Sequence, residues 1–217
     1  MNVLYIVNMD PRNKTGLFNA THKRIKLNSR NINGEIYCIN FYDGAIIKLF
    51  KKTLGMKVYE KENDSFSYEG IEYKNVFIKN TIVTKIMERI GLDVLTYLGV
   101  ICKKRKRIQR FDIVSAHWGH TQGSLAFYIK KILGIPYTLT LHGSDIHTMP
   151  RQSKSIRRLI LRNLNHSDKN IFVSNYLKNE AVKLGYYKEN DAVIYNGIDR
   201  VQFQPLSLQK SKKYVRD

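Results

Sequence analysis

Apolar and polar positions along this chain fall into blocks of two different periods. Asn2 to Asn8 (N-V-L-Y-I-V-N) is a near-continuous apolar run of the kind that forms a strand covered on both faces. Asp10 to Gly16 is a polar loop holding Pro11 and Gly16, and from Leu17 to about Arg30 the apolar positions recur at helical spacing. Gly34 ends that helix, and Glu35 to Phe41 is strand-like again. Strand, glycine-containing loop, helix, strand is a βαβ unit. The second half repeats the alternation. Phe111 to Ala116 predicts a strand, His117 to Gly123 its loop, and Ser124 to Leu133 a helix stopped by Gly134. Pro136 opens the strand Tyr137 to Leu141, which breaks into His142-Gly143-Ser144-Asp145; Ser153 to Leu164 is helical with a basic face. Lys169 to Val173 predicts a strand, and Ser174 is placed to cap a helix over Asn175 to Leu184 that Gly185 stops. Ala192 to Tyr195 is a last strand, followed by a tight turn at Asn196-Gly197-Ile198-Asp199. Strands interleaved with helices in this way predict an α/β fold, a Rossmann-like doubly wound parallel sheet.

The middle of the chain is less regular. Gly44 to Tyr59 mixes Ile, Leu, Phe and Met with four lysines and no acid. As a helix it sets an apolar stripe beside a cationic face, which fits either an interfacial segment or a solvated basic face over an ordinary core stripe. Ser65 to Lys79 alternates weakly around Gly70 and predicts a hairpin or irregular insertion. Thr81 to Arg110 predicts one long helix, broken near Gly91 or Gly99, ending in Lys103-Lys104-Arg105-Lys106-Arg107. Helix-dipole complementarity explains one or two cations there but not five. After Pro205 the chain turns polar and basic, and residues 206–217 are expected to be a linker or tail.

Composition changes this picture in one respect. The chain has 217 residues, room for one well-buried domain or at most two small ones, and its 37 Lys and Arg against 18 Asp and Glu give a net charge of +19. Such a field attracts phosphates, whether on nucleotide, nucleic acid or anionic lipid. Cys38 and Cys102 lie in apolar stretches without metal spacing and are expected to be two buried thiols in a reducing cytoplasm. Met1 to Asp10 lacks the pattern of a signal peptide, and the longest apolar patch, Val94 to Cys102, is too short to span a bilayer.

The loops predicted at the carboxyl ends of strands gather the chemistry. His117 to Gly123, His142 to Asp145, Ser174 with its helix N-terminus, and the Gly16 loop would share one sheet edge, where open α/β sheets bind ligands. Imidazoles, small residues and exposed backbone N–H groups suit hydroxyls and phosphates. Only Gly16 stands in the first loop, so a G-x-G-x-x-G dinucleotide fingerprint is missing. His117, His120, His142 and His147 could instead cluster round a metal, although no second ligand pattern supports it.

Four ordered motifs, I-V-S-A-H-W-G-H-T-Q-G, G-I-P-Y-T-L-T-L-H-G-S-D-I, N-I-F-V-S-N-Y-L-K and V-I-Y-N-G-I-D-R-V-Q-F-Q-P, resemble the N-terminal half of a family-4 retaining glycosyltransferase. The resemblance is close from Asp112 to Pro205 and loose before it. It implies the N-terminal half of a GT-B architecture, with residues 1–205 as an acceptor-side Rossmann-like domain and 206–217 leading toward a C-terminal donor-binding domain, in cis or in trans. It further implies His142 as the catalytic residue at the reaction centre. Gly16, His117, Gly119, Gly143, Ser144, Asp145, Ser174 and Asn196 would bind donor or acceptor, with Gly197 and Asp199 at the crossing to the second domain. The Arg, Lys and paired-glutamate motifs that grip the donor in the family lie beyond these residues, so the chain alone is expected to be inactive. The implied activity is transfer of a sugar from a nucleotide sugar to a polysaccharide or glycolipid acceptor, with retention and without a metal or other cofactor. The implied setting is cytoplasmic, peripheral to the inner face of a bacterial membrane. Lys48, Lys51, Lys52, Lys103, Lys104, Arg105, Lys106 and Arg107 would then meet an anionic membrane surface. A non-catalytic basic α/β module binding nucleic acid or an anionic surface is the alternative, although no nucleic-acid reading motif accompanies the charge.

Overall fold

A computed structural model of the chain describes residues 1–12, 15–188 and 191–197. Among these residues the sheet has eight strands. They are β1 (Asn2–Val7), β2 (Asn33–Asp43), β3 (Ser65–Tyr68), β4 (Ile71–Asn80), β5 (Ile113–His117), β6 (Tyr137–Leu141), β7 (Lys169–Phe172) and β8 (Asp191–Val193). Their order is β3-β4-β2-β1-β5-β6-β7-β8, every pairing parallel except that of β3 with β4. The sheet winds outward in both directions from β1 and β5. The loops leaving these two strands therefore flank the crevice where ligands of such sheets sit.

Helices cover the two faces unequally. They are α1 (Gly16–Asn28), α2 (Ala45–Thr53), α3 (Ile82–Arg89), α4 (Val94–Ile108), α5 (Thr121–Leu133), the one-turn α6 (Ser144–His147) and α7 (Met149–Gln152), α8 (Lys154–His166) and α9 (Asn175–Leu184). The period-2 alternation of β1 divides the core. Leu4 and Ile6 join Ile101 of α4, Leu125 of α5, Ile160 of α8 and Leu177 of α9. Val3, Tyr5 and Val7 pack with Phe18 and Ile25 of α1, together with Ile36, Cys38 and Tyr73. This split explains why β1 reads as an unbroken apolar run.

The structure chooses between the alternatives in two expectations and corrects others. The helix predicted over 81–110 breaks at the first of its two candidate glycines, into α3 and α4. Gly91, at φ +84°, takes the left-handed backbone that side chains resist, and Asp93 then turns inward before α4 begins. The segment 65–79 is a true hairpin whose second arm, β4, runs parallel to β2 and buries Tyr73, Val76 and Ile78. Within 44–59 only Ala45–Thr53 is helical. Cys38 is buried as expected, but Cys102 is exposed. The buried stripe of α4 is Tyr97, Ile101 and Ile108, and Cys102 sits one helical step, about 100°, off it. The helices α6 and α7, absent from the sequence reading, occupy the connection from His142 to α8. Ile198, Asp199 and the tail 206–217 lie outside the described residues.

Candidate active site

The site is assembled where β1, β5 and β6 end. His117 is the last residue of β5 and His142 follows β6, so parallel pairing sets them side by side. His117 Nδ1 lies 3.2 Å from His142 Nε2 and the rings stack with centroids 5.4 Å apart. One ring N–H serves both nitrogens, so the accepting imidazole is neutral. The surroundings favour the neutral form of both rings. Burial pushes His142 down to about 4, helped by the charge of Arg24. Burial, His142 and Arg24 together hold His117 well below its ordinary value. Arg24 comes from α1 and donates to Asn196 Oδ1 at 3.3 Å; sequence reading missed it because nothing local distinguishes one helix arginine from another.

The adjoining loops are held by one carboxylate. Asp145 is fully buried and accepts from the backbone N–H of Gly143 (2.7 Å), His142 (3.1 Å) and Gly119 (3.2 Å). It ties the loop after β5 to the loop after β6, so its part is to position His142 and not to reach a ligand. Gly119 is also turned inward: a Cβ there would meet Leu141 at 3.2 Å and Ile160 at 3.4 Å. Gly143, at φ +148°, supplies the turn that aims His142 back over the sheet. Trp118, next to His117, holds φ +108°, a strained geometry for a non-glycine residue and one that often marks functional loops. Ser174 caps α9 through Leu177 N–H at 3.2 Å, and Asn196 is exposed after β8. Ser144 starts the one-turn α6 and is partly exposed.

Gly16 opens α1 beside this group. A Cβ at Gly16 would touch nothing within 4 Å, so the chain's own packing does not demand glycine there. Thr15 Oγ1 takes the Phe18 N–H and Thr15 O takes that of Asn19, leaving the Gly16 and Leu17 amides without an acceptor among the described residues. Open first-turn amides and a helix dipole favour an anion. On the other side of the switch point, an open cleft of about 1160 Å³ is lined by Asn8, Asp10, Arg12, Asn40, Tyr59, Asn80, Glu88, Thr121 and Gln122. Its amides and rings suit a hydroxyl-rich ligand. The side-chain oxygen Oε1 of Gln122 is buried there without a partner among the described residues, an acceptor that a ligand hydroxyl could satisfy. His120 Nε2 lies 3.0 Å from Glu88 Oε1, off the line of a good hydrogen bond. Among the described residues no three His, Cys, Asp or Glu side chains are arranged to hold a metal ion.

The family model for Glycosyltransferase Family 4 matches residues 64–202, more than half of the chain. The chain belongs to glycosyltransferase family 4. It is 35% identical over 134 residues to "Uncharacterized glycosyltransferase MJ1178" of Methanocaldococcus jannaschii, covering 62% of this chain and 37% of that protein. It is 26% identical over 226 residues to "Putative teichuronic acid biosynthesis glycosyltransferase TuaC" of Bacillus subtilis, covering 100% of this chain and 54% of that protein. The chain therefore spans about half the length, or less, of these relatives. Its fold is that of Anabaena Alr3699/HepE, solved with UDP-glucose, at a TM-score of 0.61 and 15% identity over 100% of this chain and 49% of that one. Within this family-4 domain the first three motifs run across the carboxyl ends of β5, β6 and β7 and the fourth begins at that of β8, on the edge where the paired histidines stand.

These strand-end groups predict a pH signature. Burial lifts Asp145 to about 6 against its three backbone donors. From about pH 4 to 6 the native protein binds that proton more tightly than the unfolded chain, so this residue makes stability fall as pH rises. His142 acts oppositely: between about 4 and 6.5 the unfolded chain binds the proton, so stability rises with pH. The two windows are nearly equal in width and largely cancel, leaving His117 to set the slope. Thermal melts should therefore gain stability from about pH 5 to about 6.5 and level off above that. The slope should shrink in His117→Gln, and an unchanged slope in that variant would show that the histidine pair does not titrate as described.

Proposed function

We propose that this family-4 domain serves transfer of a sugar from a nucleotide-sugar donor to a polysaccharide or glycolipid acceptor, with retention, at the inner face of a bacterial membrane. The observation that carries the reading is the neutral His117–His142 pair on the same sheet edge as the Gly16 and Leu17 amides of α1, which have no acceptor among the described residues. Departure of a nucleoside diphosphate from a sugar builds negative charge on phosphate and positive charge at the sugar carbon. Amides at a helix start favour the first, and an uncharged imidazole can contact the sugar without opposing the second. In this reading the donor lies over Gly16 and His142, and the acceptor enters the amide-lined cleft at Gln122. The residues assigned here need no metal.

Donor binding tests the reading. The groups described form one wall of a donor site, and phosphates held by a single wall are screened by water. A second, donor-binding domain in cis or in trans would supply the other wall. The 217-residue chain by itself should bind UDP-glucose, the ligand of the HepE structure, and other nucleotide sugars at about millimolar strength, roughly 4 kcal/mol. Calorimetry and a nucleotide-release assay measure this together. Micromolar binding or multiple turnovers by this chain would show that the site is already complete and that the two-wall reading is wrong.

A further inference from the structure

Helix α3 has no buried residue. Its Ile82, Val83 and Ile86, with Ile90 at the C-cap, are 50–54% exposed and share one face. Helix α2 buries only Ile47 and turns Ile46, Leu49 and Phe50 outward at 70%, 67% and 64% exposure, a stripe at i, i+3 and i+4. An amphipathic helix ordinarily turns its apolar stripe to the core; these two turn it to solvent. They also leave the sheet together. They follow the ends of β2 and β4, neighbouring strands joined there by Gly44 N–H to Asn80 O at 2.9 Å. Exposed apolar helix faces of this kind mark a contact with another phase or molecule.

The charges near the stripes choose the occupant. Helix α2 carries Lys48, Lys51 and Lys52 and no acid, and α3 carries Lys85 and Arg89 with Glu88 alone, which faces His120. Glu60 pairs with Lys48, and Lys51 is drawn to the buried Asp43, whereas Lys52, Lys85 and Arg89 form no ion pair among the described residues. A second copy of this chain would bring two bodies of net charge +19 together, which electrostatics opposes. An anionic bilayer meets both features: apolar side chains enter the acyl boundary while lysine and arginine reach headgroup phosphates. We propose that α2 and α3 form a two-helix membrane-docking ridge that inserts Ile46, Leu49, Phe50, Ile82, Val83 and Ile86 into an anionic lipid surface. Glu60 and Glu62, beyond α2, and Glu88 of α3 line the polar cleft, so docking sets that cleft against the bilayer. The docking deepens the membrane placement proposed above and is independent of the transfer chemistry; only delivery of a lipid-anchored acceptor into the cleft rests on that chemistry.

The basic block 103–107 has a different place. It ends α4, which feeds the amino end of β5, the opposite edge of the sheet from the ridge. There Arg107 pairs with Glu35 and Lys104 lies over the Tyr37 ring. The two basic segments that the sequence suggested as one membrane surface are thus separated.

Vesicle flotation of the 217-residue chain, with phosphatidylglycerol–phosphatidylcholine and pure phosphatidylcholine vesicles, tests the ridge. The paired variants Leu49→Ser/Phe50→Ser and Ile82→Ser/Ile86→Ser should each lower partitioning into anionic vesicles by about tenfold or more, with unchanged melting. Lys85→Gln/Arg89→Gln should weaken binding and its salt dependence, whereas glutamines throughout 103–107 should have a smaller effect. Unchanged binding in both serine variants would overturn the proposal. So would sedimentation showing a concentration-dependent dimer that the serine variants abolish, which would make a second copy the occupant.

Discussion

Replacing His142 with Ala should lower turnover of the catalytically competent protein by about 10²- to 10³-fold, the cost typical of losing one oriented group from a reaction centre. The fold should survive. His142 is only partly buried, its ring makes one hydrogen bond, to His117, and its backbone N–H donates to Asp145 independently of the side chain. The loss in stability is therefore expected to be about 1 kcal/mol, a shift of a few degrees in melting temperature. Steady-state rates and thermal melts on the same preparations separate the two effects. His142→Gln, which retains a polar side chain but not the imidazole, should recover stability before it recovers rate. Full activity in His142→Ala would remove the residue from the reaction centre; a melting loss of ten degrees or more would make it a core histidine instead.

Asp93→Ala should produce the largest loss of stability outside the apolar core. Asp93 Oδ1 accepts from Arg162 Nη1 at 2.6 Å and from the Tyr128 hydroxyl at 2.8 Å, and Oδ2 accepts from Arg162 Nη2 at 3.1 Å. Burial alone would push this carboxyl up, but the hydrogen bonds and charge of Arg162 overcome it and hold the group below its usual range. Arg162 also lies over the Phe127 and Tyr128 rings, at 4.3 and 4.9 Å from their centroids. Removing the carboxylate leaves a guanidinium that is mostly out of water without its counter-charge, with only the neutral oxygens of Ser124, Tyr128 and Asn163 accepting from it, at a cost of about 3 kcal/mol. For a chain of this size that lowers the melting temperature by roughly 6–12 °C. Asp93→Asn should lose somewhat less, because the amide oxygen still accepts a hydrogen bond. A shift of only a degree or two in Asp93→Ala would mean that Arg162 finds water or another acceptor at no cost.

What could be read from the sequence followed from local periodicity. The apolar run of β1, the break from Leu141 into His142-Gly143, the Ser174 cap and the Gly185 stop are each decided within a few residues, because strand and helix spacing and the φ preferences of glycine act over that range. Alternation of such blocks was enough to fix a doubly wound sheet and to gather Gly16, His117, His142 and Ser174 at one edge. The contacts that define the site lie beyond that range. Parallel pairing of β5 with β6 sets His117 against His142 across 25 residues, and Asp145, which the sequence grouped with the ligand-binding positions, is turned inward by the amides of Gly119 and Gly143. Arg24 reaches Asn196 across 172 residues, and Asp93 holds Arg162 across 69. Nor does periodicity say what covers an apolar stripe. The stripes of α1 and α3 are both helical, yet Phe18 and Ile25 are sealed against β1 and β2 while Ile82 and Ile86 face outward, because only the assembled sheet determines which stripe finds a partner.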